Sequence, residues 1–349
     1  MTATRTEIVD TVVLGCEHLP HAESYVAALG ASRIGRLVGV YDEAPALGRA
    51  LAKQAGGAYF DSDAERLLQR CQPAAAVVCS ATDRHRPLVE LASSRGVHVL
   101  CEKPLATNVA DAEAMVAACQ QHGVQLHTAF VSRFYPVLQQ VRDLVAQGEL
   151  GQVRGMVGGN RGRPPLPPRY PPWITRAGTA GGGALIDHCV HVVDAMRFVS
   201  GLEAIEVLAE LGTLFSDIDV EDSALVSVVF DGGVPASIDP SWSVTPASPW
   251  DYDFYLRLLG SEGSLTIATA RESIEVFGVY GDRTHASVPF EPNIDQAMVD
   301  GFLRSVLQGR IQDPCATGED GLRAVEVACA AYASADTGEL VPTAVGERE

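Results

Sequence analysis

The sequence predicts an α/β protein in two parts: a doubly wound parallel sheet through about residue 130, then an α/β domain with an open, mostly antiparallel sheet. Three observations predict it. Short apolar runs without alternation are separated by helical patterns over the first part, as in a parallel sheet covered on both faces. The rhythm changes after Phe130 to closely spaced strand-like runs. The 349 residues, at ~150 per domain, allow two domains, placed at 1–130 and 131–349.

In order, Thr11–Leu14 is a buried strand ended by Gly15, and Pro20 opens a helix over His21–Leu29. Leu37–Tyr41 is the next strand, followed by a helix over Ala46–Ala55. Strand-like runs at Ala75–Cys79, Val97–Cys101 and Gln125–Phe130 enclose helices at His85–Arg95 and Val109–His122. The second part starts with a helix at Pro136–Gln147 and a strand at Val153–Val157. Six prolines within residues 164–172 exclude helix and central strand, which predicts an extended surface loop. Gly181-Gly182-Gly183 opens a helix to about Ser200. Strands are expected at Ile205–Leu211, Ala224–Phe230, Val234–Pro240, Phe254–Leu259, Leu265–Ala268 and Ile274–Tyr280, with Asp231-Gly232 as a hairpin turn. Helices near Gln296–Gln308 and Glu319–Ser334 close the chain.

With 26 Lys+Arg against 44 Asp+Glu, the formal charge is −18, which opposes nucleic acid and anionic lipid as partners. No apolar run approaches the length of a membrane span, and Met1–Val13 lacks a signal-peptide pattern. The eight cysteines are scattered, without a CxxC pair, and read as small buried hydrophobes. A cytoplasmic protein without a metal is expected.

Val13-Leu14-Gly15-Cys16-Glu17-His18-Leu19-Pro20 lies where a dinucleotide-binding GxGxxG turn would fall. Only its first glycine is present; Glu17 and Pro20 replace the others. A carboxylate beside a diphosphate is unfavourable, so Glu17 must point away, with His18 or His21 as a compensating donor, or binding is weakened. Asp42, 27 residues after Gly15, ends the second strand, where an acidic residue would bind ribose hydroxyls; capping the following helix is the competing reading. With Glu43 beside it, NAD is favoured over NADP.

Cys101-Glu102-Lys103-Pro104, Ser80-Ala81-Thr82-Asp83-Arg84-His85, Ala129–Pro136 and the run Gly181-Gly182-Gly183…Asp187-His188-Cys189-Val190-His191 follow in order. Together they resemble the Gfo/Idh/MocA family, the glucose–fructose oxidoreductase and inositol dehydrogenase group, over essentially the whole chain. The resemblance implies a Rossmann domain, a second α/β domain whose open sheet is often the oligomer face, and NAD(P)-dependent chemistry on carbinol carbons of sugars or polyols. It implies a substrate site lined by Lys103, Asp187 and His191, and a Lys-Pro bond that is frequently cis. Gly15, Cys16, Glu17, His18, Leu19, Asp42, Ser80, Ala81, Thr82, His85, Glu102 and Lys103 are the expected cofactor residues. Arg133 and Trp173 join Lys103, Asp187 and His191 at the substrate. The chain departs from the family pattern at Glu17, Pro20, Ala81, Thr82 and Cys189, the first of which bear on cofactor affinity.

Asp187 and His191, four apart, share a helix face, and Asp194 falls on it again. A histidine near its natural pKa suits the base that takes the hydroxyl proton, with Asp187 orienting it or the substrate. Lys103 polarises the reacting oxygen; exchange of the base role between Lys103 and His191 stays open. His85, His98, His127 and His188, each taken alone, read as structural or surface groups. Arg161, Arg163, Arg169 and Arg176 either bind an acidic sugar or pair with the protein's own carboxylates. The expected activity is NAD-dependent oxidation or reduction of a secondary hydroxyl on a sugar, polyol or related compound by a homodimer or homotetramer. Two rivals stand beside it: an NAD-dependent lyase or glycosidase with transient oxidation, and a non-catalytic dinucleotide- or sugar-binding protein.

Overall fold

The computed structural model describes residues 8–248, 250–267, 273–280, 283–289 and 293–346. The expectations for residues 1–7 and for Ala268 lie outside that set. In chain order the first elements are β1 (Val9–Leu14), α1 (Leu19–Ala31), β2 (Gly35–Tyr41), α2 (Pro45–Gln54), β3 (Tyr59–Asp61), α3 (Ala64–Cys71), β4 (Ala75–Val78), α4 (His85–Ser94), β5 (His98–Cys101), α5 (Val109–Gln121) and β6 (Leu126–Thr128). There follow α6 (Pro136–Ala146), β7 (Val153–Gly162), α7 (Ala177–Ala180), α8 (Ala184–Ser200), β8 (Ala204–Gly212), β9 (Ser223–Phe230), β10 (Val234–Asp239), β11 (Tyr252–Gly260) and β12 (Ser264–Ile267). The last are β13 (Ser273–Tyr280), β14 (Arg283–Pro289), α9 (Ile294–Gln308), β15 (Ala316–Thr317), α10 (Gly318–Thr337) and β16 (Val341–Pro342).

The chain packs as two units. The first comprises Met1–Val131, Leu166–Gly181 and Asp295–Val325. Its sheet runs β15-β6-β5-β4-β1-β2-β3, parallel except where β15 meets β6. The order reverses between β1 and β4, so their carboxyl ends frame the crevice where open α/β sheets bind ligands. Val12, Val13 and Leu14 of β1 and all four residues of β4 are fully buried, as strands covered on both faces require. Two chain-distant segments complete this unit. Asp295 and Asp300 of α9 accept hydrogen bonds from Ser24 of α1 and from its C-cap residue Ser32, at 2.5 and 2.7 Å. The Phe302 and His127 rings meet in a T-shaped arrangement, centroids 4.9 Å apart.

The second unit comprises Ser132–Pro165, Gly182–Ile294 and Glu326–Glu349. Its sheet runs β12-β11-β7-β10-β9-β8-β16; β7 and β10 are parallel and every other neighbouring pair is antiparallel. Asp231–Gly233 makes the expected hairpin between β9 and β10. Helix α8 packs against β7, where a side chain on Gly158 would come within 2.9 Å of Val192 and 3.0 Å of Met196. The register places Val157, Leu208, Leu225 and Leu259 together on one face of the sheet, and all four are exposed.

Two differences from the sequence reading stand out. Strand β3 and helix α3 are additional: β3 is only Tyr59-Phe60-Asp61, too short to show a period, while α3 carries the N-cap signal of Asp63 accepting from Arg66 N–H. The proline-rich segment is not merely a surface loop. Leu166–Arg169 is exposed, but Ile174 is buried and Trp173 donates its indole N–H to the Glu17 carbonyl at 3.1 Å.

Candidate active site

In the first unit the candidate site begins with the turn after β1. Gly15 has φ +83°, and a Cβ there would lie 2.5 Å from Ser80 Cβ, so only glycine lets the turn pass the end of β4. The turn is pinned by backbone bonds from Gly15 N–H to Tyr41 and from His18 N–H to Cys79. Helix α1 then starts at Leu19 with Pro20 in its first turn, where a missing N–H costs no helical bond. Its N-cap residue, His18, makes no side-chain cap bond. A helix N-terminus behind a glycine turn, at the crevice between β1 and β4, fits the diphosphate of a dinucleotide.

Asp42 does not cap α2, whose N-cap is Ala44 without a side-chain bond; it braces the chain just before that helix. One carboxylate oxygen accepts from Cys16 N–H at 2.7 Å and the other from Ala44 N–H at 2.7 Å, so it ties the turn to the start of α2. Each oxygen keeps a second lone pair for a ribose hydroxyl. Burial raises its pKa, against the lowering effect of those N–H bonds. Glu17 turns toward Arg84, 3.2 Å away, as a carboxylate at the second glycine position must.

His18 and His21 stack with centroids 3.8 Å apart, and Trp173 meets His18 edge-on at 5.9 Å. His21 does not stand free as a donor: its Nδ1 lies 2.7 Å from Glu102 Oε1, which also accepts from the Tyr25 hydroxyl. The other Glu102 oxygen accepts Lys103 N–H at 3.0 Å. Burial opposes ionisation of both partners, yet the charge of each and their shared hydrogen bond prevail. The Glu102 carboxyl is held well below its ordinary range and the His21 imidazole above its own. Glu102 is therefore a buried anion that fixes α1 to the turn bearing Lys103, and Lys103–Pro104 is cis.

Ser80, Ala81 and Thr82 close the same crevice after β4, all buried. His85, expected among the cofactor residues, has both ring nitrogens on backbone carbonyls. Its Nδ1 faces the Leu105 carbonyl at 3.1 Å and its Nε2 the Ser80 carbonyl at 3.2 Å, which fastens the β4 turn to the segment after Lys103. Burial lowers its pKa. His98 accepts from Gln125 N–H, and His127 is buried beside Gln125, its pKa pushed down to about 3 by burial.

In the second unit the expected site residues Asp187 and His191 lie on α8. Its glycine run is steric: a Cβ on Gly182 would lie 1.8 Å from the Tyr332 hydroxyl, and one on Gly183 would lie 2.0 Å from the Glu221 carbonyl. Glu221 Oε1 accepts from Gly183 and Leu185 N–H and from Tyr332, which serves the first turn of α8 in place of a cap. Asp187 accepts from Trp242 Nε1 at 3.2 Å, and His188 Nε2 lies 3.2 Å from the same oxygen. Thus His188 and Trp242 orient Asp187, and neither role was readable from spacing. His191 is buried one turn on. Cys189, between them, is fully buried, which raises its thiol pKa to about 12.

Two residues expected at the substrate have other partners. Arg133 forks onto Asp194 at 2.9 and 2.6 Å, both buried, and lies over Phe198. Trp173 belongs to the first unit and bonds the Glu17 carbonyl, so it supports the turn after β1. The arginines divide the same way: Arg161 pairs with Asp253 and Arg163 with Asp251. Among the described residues, no three of His, Cys, Asp and Glu converge on a metal position.

The fold and this turn define a dinucleotide-binding α/β protein with a second domain carrying an Asp-x-x-x-His helix. Residues 9–130 match the model of the oxidoreductase family with an NAD-binding Rossmann fold, and residues 138–266 match the GFO/IDH/MocA C-terminal domain. The chain belongs to the Gfo/Idh/MocA family of oxidoreductases. It is 29% identical over 282 residues to myo-inositol 2-dehydrogenase of Thermotoga maritima, covering 78% of this chain and 80% of the relative. It is 28% identical over 318 residues to 1,5-anhydro-D-fructose reductase of Ensifer adhaerens, covering 89% and 92%. In fold it is similar to GenD2 from gentamicin A biosynthesis, solved in complex with NAD: TM-score 0.86, 24% identity, 98% of this chain and 99% of that one.

Proposed function

We propose that this chain is an NAD-dependent oxidoreductase that moves hydride between the nicotinamide and a secondary hydroxyl of a sugar, polyol or related compound. The observation that carries it is the placing of Lys103 at the carboxyl end of β5, in the same sheet as the Gly15 turn at the carboxyl end of β1. The family and the polyol and anhydrosugar specificities named for its relatives support the substrate class.

Gly15–Leu19 and the start of α1 would hold the diphosphate, Asp42 the adenosine ribose, and Ser80–Thr82 the far wall. The bound dinucleotide supplies the hydride acceptor. Lys103 hydrogen-bonds the reacting oxygen and favours its alkoxide character. His191 takes the hydroxyl proton, and Asp187, steadied by Trp242, orients the substrate. Glu43, with Asp42, disfavours a 2′-phosphate, so NAD is the preferred form.

The exposed aliphatic face of Val157, Leu208, Leu225 and Leu259 supports assembly of two or four copies through the second sheet. No helix among the described residues is long and apolar enough to cross a membrane. The buried, unbridged Cys16, Cys79, Cys101, Cys119, Cys189 and Cys315 suit a reducing compartment, consistent with the cytoplasm.

The test is absorbance of NADH formed from NAD and a panel of inositols, aldoses and anhydrosugars. Wild type should reduce NAD with at least one of them, and Lys103→Met should lose about three orders of magnitude in kcat. A variant with unchanged turnover removes Lys103 from the reaction.

A further inference from the structure

The family fingerprint has a glycine where this chain has Glu17, and the neighbours of Glu17 show how the turn accommodates it. The Arg84 Nη1 atom lies 3.2 Å from Glu17 Oε1 and 2.6 Å from Glu43 Oε2, one guanidinium nitrogen serving two carboxylates from different segments. The Glu17 carbonyl meanwhile accepts from Trp173. Backbone and side chain of Glu17 are thus both held by named partners.

The charge balance around this group is acidic. Asp42 is buried behind the turn, Glu43 is the next residue, and Tyr41 and Cys16 are the neighbouring neutral acids. Burial and then Asp42 raise the Glu17 pKa, while Arg84 opposes them. The Arg84 side chain is the cation in direct contact with both glutamates.

Resting on the reading of this crevice as an NAD site, we infer that Arg84 is the positioning and specificity-determining residue of the dinucleotide turn. It neutralises Glu17 and Glu43 together and holds the Glu17 carboxylate aside from the diphosphate. Being committed to those two carboxylates, it is withheld from a 2′-phosphate. The same contact therefore permits NAD and disfavours NADP.

The experiment is a double-mutant cycle on the cofactor-stripped full chain, read as NADH and NADPH binding by nicotinamide fluorescence, with a thermal melt of each variant. Arg84→Met should weaken NADH binding about tenfold or more, because two like charges are left facing an anion. Glu17→Gln should leave NADH affinity within about threefold, and Glu17→Gln/Arg84→Met should return to within about threefold of wild type, a non-additive pair. Rescue of Arg84→Met by removal of the Glu17 charge is a readout that a purely structural Arg84 would not produce. Arg84→Lys should rescue part of the NADH affinity. Glu43→Gln should tighten NADPH relative to NADH, because Arg84 is partly released; Glu43→Gln/Arg84→Met should not.

Additive effects of Arg84→Met and Glu17→Gln, or Arg84→Met binding NADH as wild type does, overturn the inference. Should Arg84→Met fail to fold, Arg84→Lys and the double variant decide it by the same criteria. Wild type binding neither dinucleotide would overturn the NAD reading itself and this inference with it. Wild type binding NADH with an additive cycle overturns this inference alone.

Discussion

On the face of α8, three residues at helical spacing have different environments. Asp187 is partly exposed and is aligned by Trp242 and His188; His191 is buried; Asp194 is fully buried against Arg133. The Asp194–Arg133 fork is a desolvated pair whose members need each other, since removing one leaves the other charge buried. Asp194→Ala should therefore destabilise the chain by about 3–5 kcal/mol, measured by denaturant unfolding. A loss below about 1 kcal/mol would mean that water or another group satisfies Arg133. Lys103, Asp187 and His191 could be named from the sequence because each sits in a short contiguous motif. The pairings of Arg133 with Asp194, Trp242 with Asp187, Arg84 with Glu17 and Glu221 with Leu185 were not legible, because these partners lie 36 to 67 residues away, beyond any local pattern. The same holds for Trp173, whose partner Glu17 is 156 residues distant.

Between elements, the decisive link is His21 of α1 with Glu102 after β5. The His21 pKa is raised in the folded chain, so its contribution to stability is complete below about 6.5 and is lost as pH rises through the folded value. The Glu102 pKa is lowered, so its contribution is complete above about 4.3 and is lost as pH falls through the folded value. The pair should stabilise the chain most between about pH 4.3 and 6.5. His21→Gln should cost about 1 kcal/mol in that window, a figure discounted for the partly exposed ring, and less above it. Melting temperatures of both proteins across pH check this; a pH-independent difference would contradict the charged pair. The strands and helices around this link were readable from apolar runs and from Pro20, whereas β3 and the docking of residues 166–181 on the first unit were not. Their stability comes from contacts such as Trp173 with Glu17, not from periodicity.

For the molecule as a whole, the second sheet leaves Val157, Leu208, Leu225 and Leu259 uncovered on one face, an arrangement that a second copy would bury. Leu225→Asp should lower the oligomeric mass found by sedimentation while leaving the melting temperature of the monomer unit near wild type; an unchanged mass places the contact elsewhere. The division of labour expected at residue 130 follows the chain, whereas packing assigns residues 166–181 and 295–325 to the nucleotide-binding unit. The proposed function requires that this unit bind NAD although Glu17 stands in its turn, and that Lys103 serve the reaction on it. Titration of cofactor-stripped wild type and Lys103→Met with NADH, followed by nicotinamide fluorescence, tests it most directly. Saturable micromolar binding by both, with affinities within about threefold and turnover by wild type alone, is the predicted result. Absence of saturable NADH binding to the wild type would contradict it.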